Sequence, residues 1–233
     1  MWWEIEYQPT TLFSLKKSEA TNAAGKSLLL PSPYSVKMAL LNAICTYDTI
    51  ELAKENFELI KDLQMEFSLS EYIVVNNCFI RIMQESRAET RKENPNILFK
   101  STVAFREYLF YSGKIKIAFK DPTRNVEKLT FLKKYFYKIN YFGKRSCFFQ
   151  MISFSENPLN ELPQDYSRAI NDLAYLSDGR QKILCKVDDF GKNVSFENVS
   201  SFSDEKTERI SKVICLPYKS TKSNKNFTLF ERS

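Results

Sequence analysis

Leu28 to Ile44 reads LLLPSPYSVKMALLNAI, and this stretch decides where the first helix of the fold begins. Ser32 suits the cap, because its hydroxyl can accept a backbone N–H of the first turn, and Pro33 suits the first helical position, where no N–H is needed. Val36, Ala39, Leu40, Ala43 and Ile44 then fall at i, i+3, i+4, i+7 and i+8, which is one buried face. Lys37 is expected off that face. The segment is either a capped core helix and no more, or a core helix whose first amides also face an anion.

Working outward, Trp3, Ile5 and Tyr7 alternate with Glu4 and Glu6, the pattern of a half-buried strand. Pro9 to Gly25 is polar and aperiodic, a loop with a short strand at Thr11 to Leu15. After the capped helix, Thr49 to Leu63 reads as a second helix with Ile50, Ala53, Phe57 and Ile60 on one face. Tyr72 to Met83 and Tyr108 to Phe119 have strand composition and are expected to pair as neighbours. The polar interval Gln84 to Glu107, with a turn at Asn94-Pro95-Asn96, is too long for a tight hairpin and reads as a projecting arm or a solvated loop. Asp121-Pro122 opens a third helix with Val126, Leu129 and Leu132 as its stripe, and Cys147 to Phe154 is a further strand.

The order strand, helix, strand, strand, helix, strand predicts an α+β chain with a ferredoxin-like (RRM-like) antiparallel sheet and helices on one face, with the projecting arm inserted at about 84–107. The open face of such a sheet is a frequent RNA platform. Residues 1–154 are assigned to this domain and 155–233 to a smaller β-rich C-terminal extension. In that extension Tyr166 to Leu173 reads as a short helix, and Ile183 to Phe190, Ile210 to Tyr218 and Phe227 to Glu231 read as strands.

A hydrophobic content of 43% with 19 Phe and 12 Tyr excludes a disordered chain, and no apolar run approaches the ~20 residues of a membrane helix. The acidic, alternating start MWWEIEYQP is unlike a signal peptide. Five widely spaced cysteines with no C-x-x-C pair fit a reducing cytoplasm and offer no zinc site. The charge is segregated: residues 1–71 carry −4 and 151–233 balance, while residues 72–150 hold 16 basic and 6 acidic groups. A polyanion fits that middle third, as does an acidic protein partner.

The chain contains 0 His, which removes Ser-His-Asp and Cys-His catalysis and the usual His-based metal sites. Asp188-Asp189 is the tightest carboxylate pair, but neighbours on a strand point to opposite faces, so it reads as a solvated strand end. Ala20 to Ser27, ATNAAGKS, approaches a phosphate-binding loop yet lacks its first glycine, and Leu-Leu-Leu-Pro follows where a helix is needed. No metal or other cofactor is implied. What remains is basic groups interleaved with aromatics, including Arg81, Arg106, Tyr108, Phe110 and Lys144, the composition of a single-strand RNA groove.

Two motifs in this order carry a family resemblance: Pro-Ser-Pro-Tyr-Ser-Val-Lys-Met-Ala-Leu-Leu behind a leucine run (Leu28 to Leu41), and Tyr-Phe-Gly-Lys-Arg-Ser-Cys-Phe at Tyr141 to Phe148. Over residues 1–154 the chain resembles the Cas5 family of CRISPR-associated proteins, of the RAMP superfamily. The resemblance implies a non-catalytic subunit of a type I crRNA-guided surveillance complex, or Cascade. Such a subunit binds the 5′ handle of the crRNA, caps a Cas7-like backbone and contacts a Cas8-like large subunit, with target DNA reached through the complex. It places Ser32, Tyr34 and Lys37 at the handle-binding helix start, Gly143, Lys144 and Arg145 at a handle-facing turn, and Arg87, Arg91, Lys92 and Lys100 on an RNA-clamping thumb. Arg81, on the strand before the arm, and Arg106, within it, join them as RNA-binding candidates from the basic and aromatic composition. One branch of the family cleaves precursor crRNA with Tyr, Lys and His, and the lack of His here favours binding over a metal-independent endoribonuclease. A basic adaptor that docks an acidic protein is the unrelated alternative.

Overall fold

Ile5 and Tyr7 point to one side of the first strand and Glu4 and Glu6 to the other, and this alternation seeds the central sheet. The computed structural model describes the chain except residues 20–24, 88–90, 93, 123–125, 200–202 and 206 and the side chains of 126–128. Strand β1 (Trp3–Pro9) lies between β7 (Ile115–Lys120) and β8 (Phe149–Phe154), with β4 (Gln64–Ser68) outside β7. All three pairings are antiparallel. The helices α1 (Pro33–Tyr47) and α4 (Val126–Phe136) complete a ferredoxin-like βαββαβ unit. Its core joins Ile5, Tyr7, Phe67, Ile117 and Phe119 from the sheet to Val36, Leu40 and Ile44 of α1 and Leu129, Leu132 and Phe136 of α4. The Tyr7 hydroxyl, buried there, donates to the Phe136 carbonyl at 2.8 Å, so it is not stranded.

The second strand of this unit is β4, not Tyr72 to Met83. The latter belongs to β5 (Tyr72–Glu85), which pairs with β6 (Phe99–Tyr111) over its whole length, from Ile73 opposite Tyr111 to Glu85 opposite Phe99. This hairpin is inserted between β4 and β7. The expected strand Tyr108 to Phe119 is therefore two, the end of β6 and β7, broken around Gly113 and placed in different sheets. Of the expected arm, Gln84, Glu85 and Phe99 to Glu107 belong to this ladder, and the outer part of the hairpin stands clear of the body, with Phe79 of β5 78% exposed.

Thr49 to Leu63 is split into α2 (Ile50–Glu55) and α3 (Phe57–Asp62) at Asn56. In the last third β10 (Ile183–Phe190), β11 (Arg209–Leu216) and the short β9 (Arg168–Ala169) form a second sheet, and α5 is only Leu173–Leu176. Tyr166 to Leu173 is thus not a helix: Ser167 is tied to the β4 edge, donating from its N–H to the Phe67 carbonyl at 2.8 Å. The last strands, β12 (Tyr218–Ser223) and β13 (Phe227–Arg232), return to the hairpin and give the order β12-β13-β5-β6. The fourth sheet is the two-residue pair β2 (Leu15–Lys16) and β3 (Ser27–Leu28).

The β10–β11 sheet packs on the side of α1 away from the ferredoxin-like sheet: Phe190 of β10 meets the Tyr34 ring edge-on at 5.1 Å. Buried on two sides, α1 has less of an open face than its heptad pattern implies. Lys37 is consequently 2% exposed rather than solvated. Its ammonium pairs with Asp189 at 2.7 Å and donates to the Lys61 carbonyl at 2.7 Å. Burial holds its pKa below the ordinary lysine value against the pull of Asp189. Asp189 also accepts from Lys212 at 2.7 Å, so it is a buried ion-pair centre and not a solvated strand end.

Candidate nucleic-acid interface

An open cleft of about 910 Å³, mostly apolar in its walls, lies between the start of α1, the turn after α4 and the near end of the β10–β11 sheet. Ser32, Tyr34, Gly143 and Lys144 line it together, although the two pairs are more than a hundred positions apart in sequence. Ser32 caps α1 as its sequence dictates, its Oγ accepting from the Ser35 N–H at 3.2 Å. Gly143 turns the chain with φ of +69°, a conformation costly for any side chain, and an added Cβ would stand 3.2 Å from Leu15 Cδ2. The turn closes through Cys147 N–H to the Lys144 carbonyl at 2.9 Å, leaving Lys144 and Arg145 exposed. Neither forms an ion pair among the described residues.

Two cleft residues had no signal in the sequence. Arg209 lies over the Tyr34 ring at 4.0 Å from its centroid, and Lys16 enters from β2. Among the described residues, the one carboxylate on the wall is Asp188, which accepts from the Ser18 hydroxyl at 3.0 Å. The lining thus holds Lys16, Lys144 and Arg209 against Asp188, a net positive apolar cleft with a stacked cation–aromatic pair. Only the fold of the last third brings Arg209 here.

The segment from Phe13 to Lys16, which ends in β2, connects this cleft to the base of the hairpin. Phe13 pairs with Leu109 of β6, and Cys147 donates its S–H to the Ser14 carbonyl. Gly25 also docks on β6, its N–H donating to the Phe105 carbonyl at 3.1 Å, and it lies against the Arg106 side chain. Gly25 to Ser27 of the phosphate-loop-like stretch are therefore part of a sheet edge; Ala20 to Ala24 lie outside the described residues. Arg81 donates to the Ser101 hydroxyl at 3.2 Å across the hairpin, and Arg91 pairs with Glu85 at 2.9 Å. Arg87, Lys92 and Lys100 are exposed at the outer part of the hairpin. None of these hairpin cations lines the cleft, so the expected residues fall into two groups, with Lys37 in neither.

The open face of the ferredoxin-like sheet carries no aromatic platform. Glu4 and Glu6 of β1 occupy its centre, paired with Lys116 and Lys114 of and beside β7, and the Lys114 ammonium holds the Glu6 carboxyl below its usual pKa. Tyr166 donates to Glu4 and Ser167 to Glu66, so the segment before β9 covers part of that face.

No family model matches the chain, and no curated protein matches it in sequence. Among solved structures, a CRISPR protein from Archaeoglobus fulgidus is matched over 100% of this chain and 92% of its own, with a TM-score of 0.51 at 12% identity. The fold is shared with a CRISPR protein. A chain of a CRISPR RNA-guided surveillance complex is matched over 92% of this chain and 88% of that one, with a TM-score of 0.41 at 13% identity.

Proposed function

We propose that this protein is a non-catalytic subunit of a type I crRNA-guided surveillance complex that holds the 5′ handle of the crRNA and caps a Cas7-like backbone beside a Cas8-like large subunit. The observation that carries the proposal is the cleft, where the helix start at Ser32 and Tyr34 meets the turn at Gly143 and Lys144. Exposed cations at Lys144 and Arg145 suit phosphates, and apolar walls with Tyr34 and Arg209 suit unstacked bases. The fold shared with a CRISPR protein supports the same reading, as do the two motifs that resemble the Cas5 family. The hairpin supplies the second hold, with Arg87, Arg91, Lys92 and Lys100 near its tip as the thumb.

Non-catalytic is proposed because the chain has 0 His and, of the two tyrosines on the cleft wall, Tyr34 and Tyr141, the first is stacked under Arg209. Incubating the pure protein with repeat RNA in EDTA tests this. The expected result is salt-dependent binding with the RNA intact; site-specific cuts would replace it with an endoribonuclease, and absence of RNA binding even beside the backbone subunit would overturn it.

A further inference from the structure

The β12-β13-β5-β6 sheet presents one face to the body and leaves the other to solvent. Register puts Ile73, Val75, Leu109 and Tyr111 on the inner face, all buried. The alternate positions form the outer face: Tyr72 and Val74 of β5, Tyr108 and Phe110 of β6, and Leu229 of β13, with Val74 opposite both Phe110 and Leu229. Phe110 is 50% and Tyr72 42% exposed, and Tyr108 is half-buried. Aromatic rings on the solvated side of a sheet, two of them on the edge strand β6, serve no core.

The margin of that face is cationic. On the outermost strand, Lys219 opposes Glu231 and Lys222 opposes Leu229, so both lysines share the outer face with the aromatics. Both are exposed, and neither makes an ion pair among the described residues. Lysines on an edge strand discourage unwanted strand pairing, which accounts for them alone but not for the three rings two and three strands away. Two acids lie at the Tyr72 end of the strip: Glu231, which faces Lys219 in register, and Glu71, which hydrogen-bonds Tyr72.

We propose that this outer face is a platform for single-stranded nucleic acid, with bases stacking on Tyr72, Tyr108 and Phe110 and phosphates held by Lys219 and Lys222. It is separate from the handle-holding cleft and from the cations at the hairpin tip, and it does not depend on the crRNA assignment. Charge complementarity selects the occupant: a flat aromatic strip flanked by lysines matches a polyanion whose every base has a π face, at any sequence. Four strands at their usual spacing give ~14 Å from β6 to β12, the reach of a few nucleotides.

The test uses the full chain and a labelled oligouridylate, which carries no handle sequence, in a fluorescence-anisotropy titration over a salt series. Tyr108→Ala/Phe110→Ala is expected to weaken binding ~10- to 100-fold with the melting transition retained. Lys219→Ala/Lys222→Ala, at exposed positions that do not threaten folding, is expected to lower the log–log salt slope by ~1.4. Lys144→Ala/Arg145→Ala, which removes phosphate contacts of the cleft, is expected to weaken handle RNA more than oligouridylate. Oligouridylate binding that survives the lysine pair unchanged, or that is lost only in Lys144→Ala/Arg145→Ala, overturns the platform and leaves the handle assignment standing. A wild-type dimer in light scattering that Tyr108→Ala/Phe110→Ala dissociates while RNA binding is retained overturns it in favour of an interface between copies.

Discussion

Lys37 is where residue-level pattern and tertiary structure part company. Its spacing takes it off the stripe of Val36, Leu40 and Ile44, yet it is buried against Asp189 because a second sheet covers the far side of α1. Removing its charge leaves Asp189 with Lys212 as its ion-pair partner and the Phe190 N–H as a donor, so Lys37→Met is expected to cost about 3 kcal/mol in thermal denaturation. RNA affinity of the folded fraction should be unaltered; a specific loss of affinity at full stability would return Lys37 to the interface. Gly143→Ala faces both a left-handed backbone and Leu15, and should cost roughly 1–2 kcal/mol in the same measurement. Glu66 is the pH-sensitive residue. Burial, opposed by the Ser167 hydrogen bond and Arg168, raises its carboxyl to about 7. A raised acid binds its proton more tightly in the folded state, so its contribution is complete below about 4.5 and is lost as pH rises through about 7. The loss is up to about 3 kcal/mol at ~1.4 kcal/mol per unit, and Glu66→Gln should flatten the stability profile between those values. An unchanged slope in that variant would assign the pH dependence to other groups.

Among the elements, the legible ones were those with a strong local signal: the α1 cap at Ser32 and Pro33, β1, and β10, whose bounds Ile183–Phe190 match the apolar alternation. Gln64–Ser68 was not legible, since five residues behind a helix look like its last turn. Nor was the break at Gly113, because Tyr108 to Phe119 is continuous in strand composition and only the sheet assignment separates its halves. Both misses have one cause: the hairpin insertion has stronger strand character than the ferredoxin strands that flank it. At this scale the hairpin itself predicts something. Arg87→Ala/Arg91→Ala/Lys92→Ala removes charges outside the β5–β6 ladder, apart from the surface pair with Glu85, worth at most about 1 kcal/mol. Thermal stability should hold while co-purification with crRNA and a Cas7-like subunit falls; undiminished assembly would end the thumb role.

Across the whole molecule, the chain of contacts runs from the hairpin base through Phe13 and Leu15 to the turn at Gly143, and over α1 to the β10–β11 sheet. The first two-thirds of the site was readable from the motifs at Leu28 to Leu41 and Tyr141 to Phe148. Arg209 was not, because its place over Tyr34 depends on how a charge-balanced C-terminal segment folds back. The central claim is that the helix start and the Gly143 turn form one RNA-binding cleft. Its most direct test is the affinity of 5′-handle RNA for the wild type and for Lys144→Ala/Arg145→Ala across a salt series. The cleft assignment predicts at least a ~10-fold loss in the variant at low salt and a salt slope smaller by ~1.4, with unchanged melting; equal affinity and equal slope would contradict it.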